Sequence, residues 1–196
     1  MLRALLASVL AIVVFTVVLG FGYPALMTGI AQVTMSHQAN GSLIERNGRV
    51  VGSSLAAQAF TSPRYFHERP SATTPPYNAG FTTFSNLGPT NPALAKLVKQ
   101  NAAAILKLEG SYDPGLTIHQ IPVDAVVPSG SGIDPEISIA YADLQAPRVA
   151  AVRHLPLPTV QRLIGEHTVA RQLDFLGEAG VNVLQLNLAL DALGGK

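Results

Sequence analysis

Cysteine is absent from all 196 residues, which excludes a disulfide framework, a thiolate zinc site and a cysteine nucleophile. An excess of positive charge is missing too: 13 Lys and Arg stand against 12 Asp and Glu, scattered along the chain. That leaves no basic footprint for nucleic acid or for an acidic membrane surface. The five histidines, His37, His67, His119, His154 and His167, show neither His-x-x-x-His nor His-x-Glu spacing, so no metal site is expected. Without a Gly-x-Ser-x-Gly elbow, a hydrolase triad has no support. No repeat of fixed period and no low-complexity tract is visible.

The most informative absence is local. Between Arg3 and Glu45 there is no Asp, Glu, Lys or Arg, and a buried soluble helix rarely runs so far without one. Ala4 to Leu26 is almost wholly apolar and as a helix reaches about 35 Å, enough to span a bilayer. A cleavable signal peptide is the competitor. Its apolar region is shorter, about 7 to 15 residues, and ends in a small-residue cleavage site; here the apolar character persists to Val33, which favours a retained anchor. Gly20, Gly22 and Pro24 near its far end are tolerated in membrane spans where neighbouring helices satisfy a kink. Arg3 lies at one end and no further Lys or Arg appears before Arg46, so the positive-inside rule predicts a cytoplasmic N-terminus. The expected organisation is an anchor over residues 1–33 and one soluble, extracytoplasmic domain over 34–196, a length suited to a single compact domain.

Asn47-Gly48, between Ser42-Leu43-Ile44-Glu45 and Arg49-Val50-Val51-Gly52-Ser53, is a strong hairpin signal. Phe60 to Pro92 reads as a long loop rich in Pro, Ser, Thr and Asn, and its aromatics argue against disorder. Those rings either pin the loop to the core or offer a contact surface to a partner. Asn91-Pro92 opens an amphipathic helix as N-cap and first-turn proline, and Gly110 closes it. Leu116 to Val127 alternates and is predicted as one or two edge strands interrupted at Pro122. Helices are expected from about Pro135 to Gln145, with Pro147 interrupting, and from Thr159 to His167. Val181 to Asn187 is predicted as a late strand, followed by a short helix over Leu188 to Leu193. Strands separated by helices give an α/β domain, with α+β as the other possibility.

Ser129-Gly130-Ser131-Gly132 before a predicted helix has the composition of a phosphate cradle. It lacks the Gly-Lys-Ser/Thr ending of a P-loop, and a tight turn with Asp134 as N-cap and Pro135 in the first turn explains it as well. Tyr65-Phe66-His67-Glu68-Arg69-Pro70 reads either as a contact patch or as packed rings with Arg69 paired to Glu68 or another carboxylate. No catalytic centre is evident.

Several motifs in order carry a family resemblance: the N-terminal span, Asn40-Gly41-Ser42-Leu43-Ile44, Tyr65-Phe66-His67, Arg69-Pro70-Ser71-Ala72, Ser85-Asn86-Leu87-Gly88-Pro89-Thr90-Asn91-Pro92, Pro122-Val123-Asp124, Ser129-Gly130-Ser131-Gly132-Ile133-Asp134-Pro135, Arg148-Val149-Ala150 and Val181-Asn182-Val183-Leu184 with Leu186-Asn187. Over essentially its whole length the chain resembles the C subunits of Kdp potassium-transporting ATPases. The resemblance implies a single-pass subunit of a bacterial inner-membrane potassium-uptake complex, with an ATP-hydrolysing P-type subunit, a potassium-channel-like subunit and membrane lipid as its partners. It implies no enzyme activity and no intrinsic cofactor for this chain. It implies that the subunit is needed for assembly; with the domain outside the cytoplasm, the expected role is assembly or ion entry, with the aromatic loop Phe60 to Pro92 docking on the channel-like subunit and Tyr65, Phe66, Arg69 and Asn86 as the candidate contact residues. The family has also been proposed to raise the ATPase subunit's affinity for ATP at a shared nucleotide site. By that resemblance Gln145, with Ser129, Gly130, Ser131 and Gly132, is the candidate nucleotide-binding set. The two ideas conflict, because an extracytoplasmic domain does not meet cytosolic ATP.

Overall fold

A computed structural model describes residues 1–194, and these fall into two compact units, one over Met1–Val50 and one from Val51 onward. The first begins with helix α1 (Leu2–Thr34), 33 residues with a mean hydropathy of 2.8 over its most apolar stretch and no buried side chain. It is α-helical except over Thr16–Gly22, a π-helical segment just before Pro24. Among the described residues this is the one helix long and apolar enough to cross a membrane. A single helical turn, Ser36–Ala39, leads to strand β1 (Leu43–Arg46), which pairs with β2 (Arg49–Ser53). Asn47 and Gly48 join them with φ of 54° and 72°, the left-handed pair that a tight hairpin requires, so this sequence signal is realised.

In the second unit the expected helix α2 (Pro92–Glu109) is present, with Asn91 accepting from the Ala93 N–H as its N-cap. From there the structure departs from the expectation. The predicted edge strands of Leu116 to Val127 are instead a 3₁₀ turn (Ile118–Gln120), closed by a Thr117–Gln120 capping box, and a short helix α3 (Val123–Val126) that starts after Pro122. The Thr-x-x-Gln spacing and the fixed φ of proline favour these local turns over a ladder that Pro122 cannot complete. Glu136–Ser138 is strand β3, and helix α4 starts only at Ile139, running to Arg153. Asp134 therefore caps no helix. It forms an Asx turn, accepting from the Glu136 N–H at 3.1 Å.

Pro147 does not interrupt α4 either. A proline inside a helix removes one hydrogen bond and costs about 3 kcal/mol, but Ala142, Ala146, Val149 and Ala150 around it are buried and hold the helix in place. Asp143, whose carbonyl loses its partner, is on the exposed side, where a freed carbonyl is open to solvent rather than buried without a partner. Helix α5 (Leu157–Glu166) matches the expected one within two residues. Strand β4 (Thr168–Val169) follows. The predicted late strand shrinks to β5 (Gly180–Asn182), and Val183 begins helix α6 (Val183–Ala192).

The result is the expected α/β class, with a small antiparallel sheet in the order β3-β5-β4. Glu136 faces Asn182 and Ser138 faces Gly180 across β3 and β5. Each of these strands turns directly into a helix, and the capping residue is its own last one: Ser138 accepts from the Tyr141 N–H, Asn182 from the Gln185 N–H. Because the strands are antiparallel, α4 and α6 leave from opposite ends of the pair. Ile137, Val181, Val183, Leu186, Leu190, Val149, Val160 and Ile164 form the centre of the core with these elements.

Candidate functional site

Among the described residues, Ser54 to Asn91 form no helix or strand, yet the middle of this segment is deeply built in. A strap at residues 62–69 crosses between α4 and α6, and those helices hold it through side chains. Asn187 on α6 receives the Phe66 N–H at its Oδ1 (2.8 Å) and donates from Nδ2 to the Phe66 carbonyl (3.0 Å). Gln145 on α4 does the same one residue on, with 2.7 Å from the His67 N–H and 3.1 Å to the His67 carbonyl. Each carboxamide thus satisfies both backbone groups of one residue, as a neighbouring strand would, and buried backbone groups need such partners.

Two arginines complete the clasp. Arg148, 0% exposed, donates from Nε to Glu109 Oε1 at 2.8 Å, from one terminal nitrogen to the Tyr65 and Pro63 carbonyls, and from the other to Gln145 Oε1 at 2.9 Å. Burial pushes the Glu109 carboxyl above its ordinary value, and the Arg148 guanidinium pulls against that. Arg153 donates to the Arg64 carbonyl (2.6 Å) and to Asp191 (2.8 Å), and its guanidinium lies 4.9 Å over the Tyr65 ring, whose hydroxyl donates to the same carboxylate. Burial, and then Arg148, lower the His67 pKa; its Nε2 lies 3.0 Å from the Ser62 carbonyl, and since a carbonyl only accepts, that nitrogen carries a proton.

The proposed contact residues separate on this geometry. Phe66 is fully buried in the core, so its ring packs the fold and presents nothing to a partner. Tyr65 is half-buried against Phe60 and Arg153. Arg69 pairs with Asp134 at 3.0 Å rather than with its neighbour Glu68. Asn86 alone of the four is exposed, with a left-handed φ of 54°. Glu68 turns inward, and burial, with Asp134 adding to it, pushes its carboxyl well above the usual carboxylate range, against the Gln58 backbone.

The proposed nucleotide set is dispersed in role. Gln145 is fully buried and all its bonds described above are internal. Ser129 accepts from the Gly132 N–H (2.8 Å) and Ser131 from the Ile133 N–H (3.2 Å), so two of the N–H groups of a would-be cradle are taken up by its own serines. The segment leads into a strand, so no helix N-terminus stands behind it. It serves as a turn that docks the loop beside it: Ser71 donates to the Gly132 carbonyl (2.6 Å) and the Thr83 N–H to the Ser131 carbonyl (3.2 Å). Gly132, at φ +72°, lies so close to Thr73 and Thr83 that a Cβ would come within 2.8 Å of both.

A cleft of about 420 Å³ opens beside this turn, lined among others by Arg69, Asp124, Asp134, Glu136, Ser138 and Glu178. Its carboxylates largely serve the chain: Asp124 accepts from both the N–H and the hydroxyl of Ser138, and Asp134 is taken by Arg69. Among the described residues no group of His, Asp and Glu is placed to hold a metal ion.

The clasping residues on the helices, Glu109, Arg148, Arg153, Asn187 and Asp191, were assigned no role from sequence. The available signal was a polar residue inside an apolar run, as Asn187 is in Leu186-Asn187-Leu188.

The model of the KdpC family, described as K+-transporting ATPase, c chain, matches residues 5–192. The chain belongs to the KdpC family. The chain is 52% identical over 187 residues to the Potassium-transporting ATPase KdpC subunit of Methylococcus capsulatus, covering 95% of this chain and 96% of that one. The subunit of the same name from Mycobacterium bovis is 50% identical over 193 residues, 98% of this chain and all of its own length, and that of Acidobacterium capsulatum is 50% identical over 186 residues, 95% and 96% of the two chains. As a KdpC chain it is a subunit of a potassium-transporting ATPase, other subunits of that complex are its implied partners, and α1 fits a membrane location.

Proposed function

We propose that this subunit is non-catalytic and acts in assembly: anchored by α1 in a bacterial inner membrane, it holds the ATP-hydrolysing and channel-like subunits together through a domain outside the cytoplasm. The observation that carries the reading is the clasp. Arg148 and Asn187, which lie in the motifs that carry the resemblance, and Gln145, the candidate nucleotide residue, are buried and turned onto the chain's own backbone, which supports a role for them in holding a rigid shape. On this reading ATP is bound by the ATP-hydrolysing subunit alone. The orientation is supported by Arg3 on one side of α1 and the lack of any Lys or Arg on the other before Arg46, as the positive-inside rule reads it.

Two measurements test it. Because the chain has no cysteine, Ser111→Cys on an exposed turn gives a unique thiol. Its labelling by a membrane-impermeant maleimide before cell lysis is the expected result, and labelling only after lysis overturns the orientation. Co-expression of a chain ending at Val50 with the other subunits should abolish recovery of the complex, and an intact, transporting complex would refute the assembly role.

A further inference from the structure

The loop from β4 to β5, residues 170–179, carries large apolar side chains exposed at its tip. Gln172 and Leu176 exchange two backbone hydrogen bonds, 2.9 and 2.8 Å, and close a tip of Leu173, Asp174 and Phe175. Leu173 is 76% exposed and Phe175 70%, with Leu176 and Val169 each about half exposed beside them. The tip is a fixed shape. Leu173 and Asp174 both adopt left-handed backbone, φ 53° and 65°, which a leucine takes only at a cost. The chain's other tight hairpin uses Asn47-Gly48, so a polar, unstrained tip is within its means; here it presents a leucine and a phenylalanine to solvent. An exposed apolar cluster of this kind marks a contact site.

We infer that the Leu173–Phe175 tip is a docking finger that inserts into an apolar recess on the extramembrane face of another subunit of the same ATPase complex. Its size and charge select that occupant. A few side chains bury far less than the about 1,000 Å² that a self-standing interface needs, so the contact forms only where a second attachment raises the local concentration. Helix α1, apolar and exposed along its length, provides that attachment in the membrane a fellow subunit shares. Around the tip stand Arg171, ion-paired with Glu178, and Asp174. This rim carries more negative than positive charge, so it is not drawn to anionic lipid headgroups as a basic rim would be.

The inference rests on the assembly reading above, and the test separates the two. A photo-reactive benzoylphenylalanine is placed at Leu173, at Phe175 and, as control, at Ser111, in the full chain co-expressed with the other subunits. Light-dependent adducts with another subunit of the complex are expected at the first two positions and not at Ser111. Adducts only with lipid, adducts only with a second copy of this chain, or none, from a chain that still co-purifies with its complex, would overturn the finger and leave the assembly reading standing. If the unsubstituted chain recovers no other subunit, both fail. The double variant Leu173→Ser, Phe175→Ser, whose sites are exposed, should keep the parent's melting temperature while recovery of the other subunits falls about fivefold, as for loss of a modest anchor; undiminished recovery would overturn the finger.

Discussion

Arg148 carries a full positive charge with no exposed surface, and Glu109 is the carboxylate that offsets it. Removing one member of such a pair strands the other. Arg148→Met should destabilise the protein by about 3–5 kcal/mol, and adding Glu109→Leu should recover part of that, both read from denaturant unfolding of the full chain. Gln145→Ala unties the His67 backbone and should cost about 1–3 kcal/mol. In complexes that do assemble it should leave the apparent KM for ATP unchanged, whereas a raised KM at normal assembly would restore the shared nucleotide site. Glu68 gives a pH signature. Its folded pKa lies well above the ordinary 4.5, so the folded state binds more protons than the unfolded one and stability falls as pH rises past that value. Glu68→Gln should flatten this decline. Melting temperatures from pH 5 to 8 check it, and parallel curves for parent and variant would refute it.

Among the elements, those announced by capping chemistry were legible. Asn91-Pro92 marked the start of α2 and Asn47-Gly48 the β1–β2 turn, because each signal acts within a few residues. The misread elements are those where tertiary packing decides. The Val and Leu residues of Val181 to Asn187 suit a strand and a buried helix alike; Asn182, as cap, switches one to the other. Ser138 does the same for the segment read as a helix from Pro135. On local grounds Pro147 breaks a helix, and the buried faces around it outweigh that cost. The Ser-Gly-Ser-Gly turn offers a test at this scale. Gly132→Ala meets both the positive φ and the Thr73–Thr83 contact and should cost about 1–3 kcal/mol. Gly130→Ala faces open space and should change stability by less than about 0.5 kcal/mol. Equal effects in thermal unfolding would mean that the turn is not held as described.

For the whole molecule, family and membrane attachment were legible because they are written over long stretches: 41 consecutive positions from Ala4 to Ile44 without a charged Asp, Glu, Lys or Arg, and motifs spread along the chain. The clasp was not legible, since its partners lie 78 and 121 residues apart in sequence and no local pattern links them. That separation has a consequence in time. A strap held by ladder bonds can zip from one end, but the Phe66 and His67 amides find their acceptors only once α4 and α6 have formed and come together. These two amides, in a segment without helix or strand, should therefore exchange with deuterium as slowly as the core of α4, through global unfolding alone. Fast exchange would mean that the strap opens by itself. If it does not, strap and helices open as one unit, and a chain emerging from the ribosome leaves the strap unpinned until Asn187 has been made.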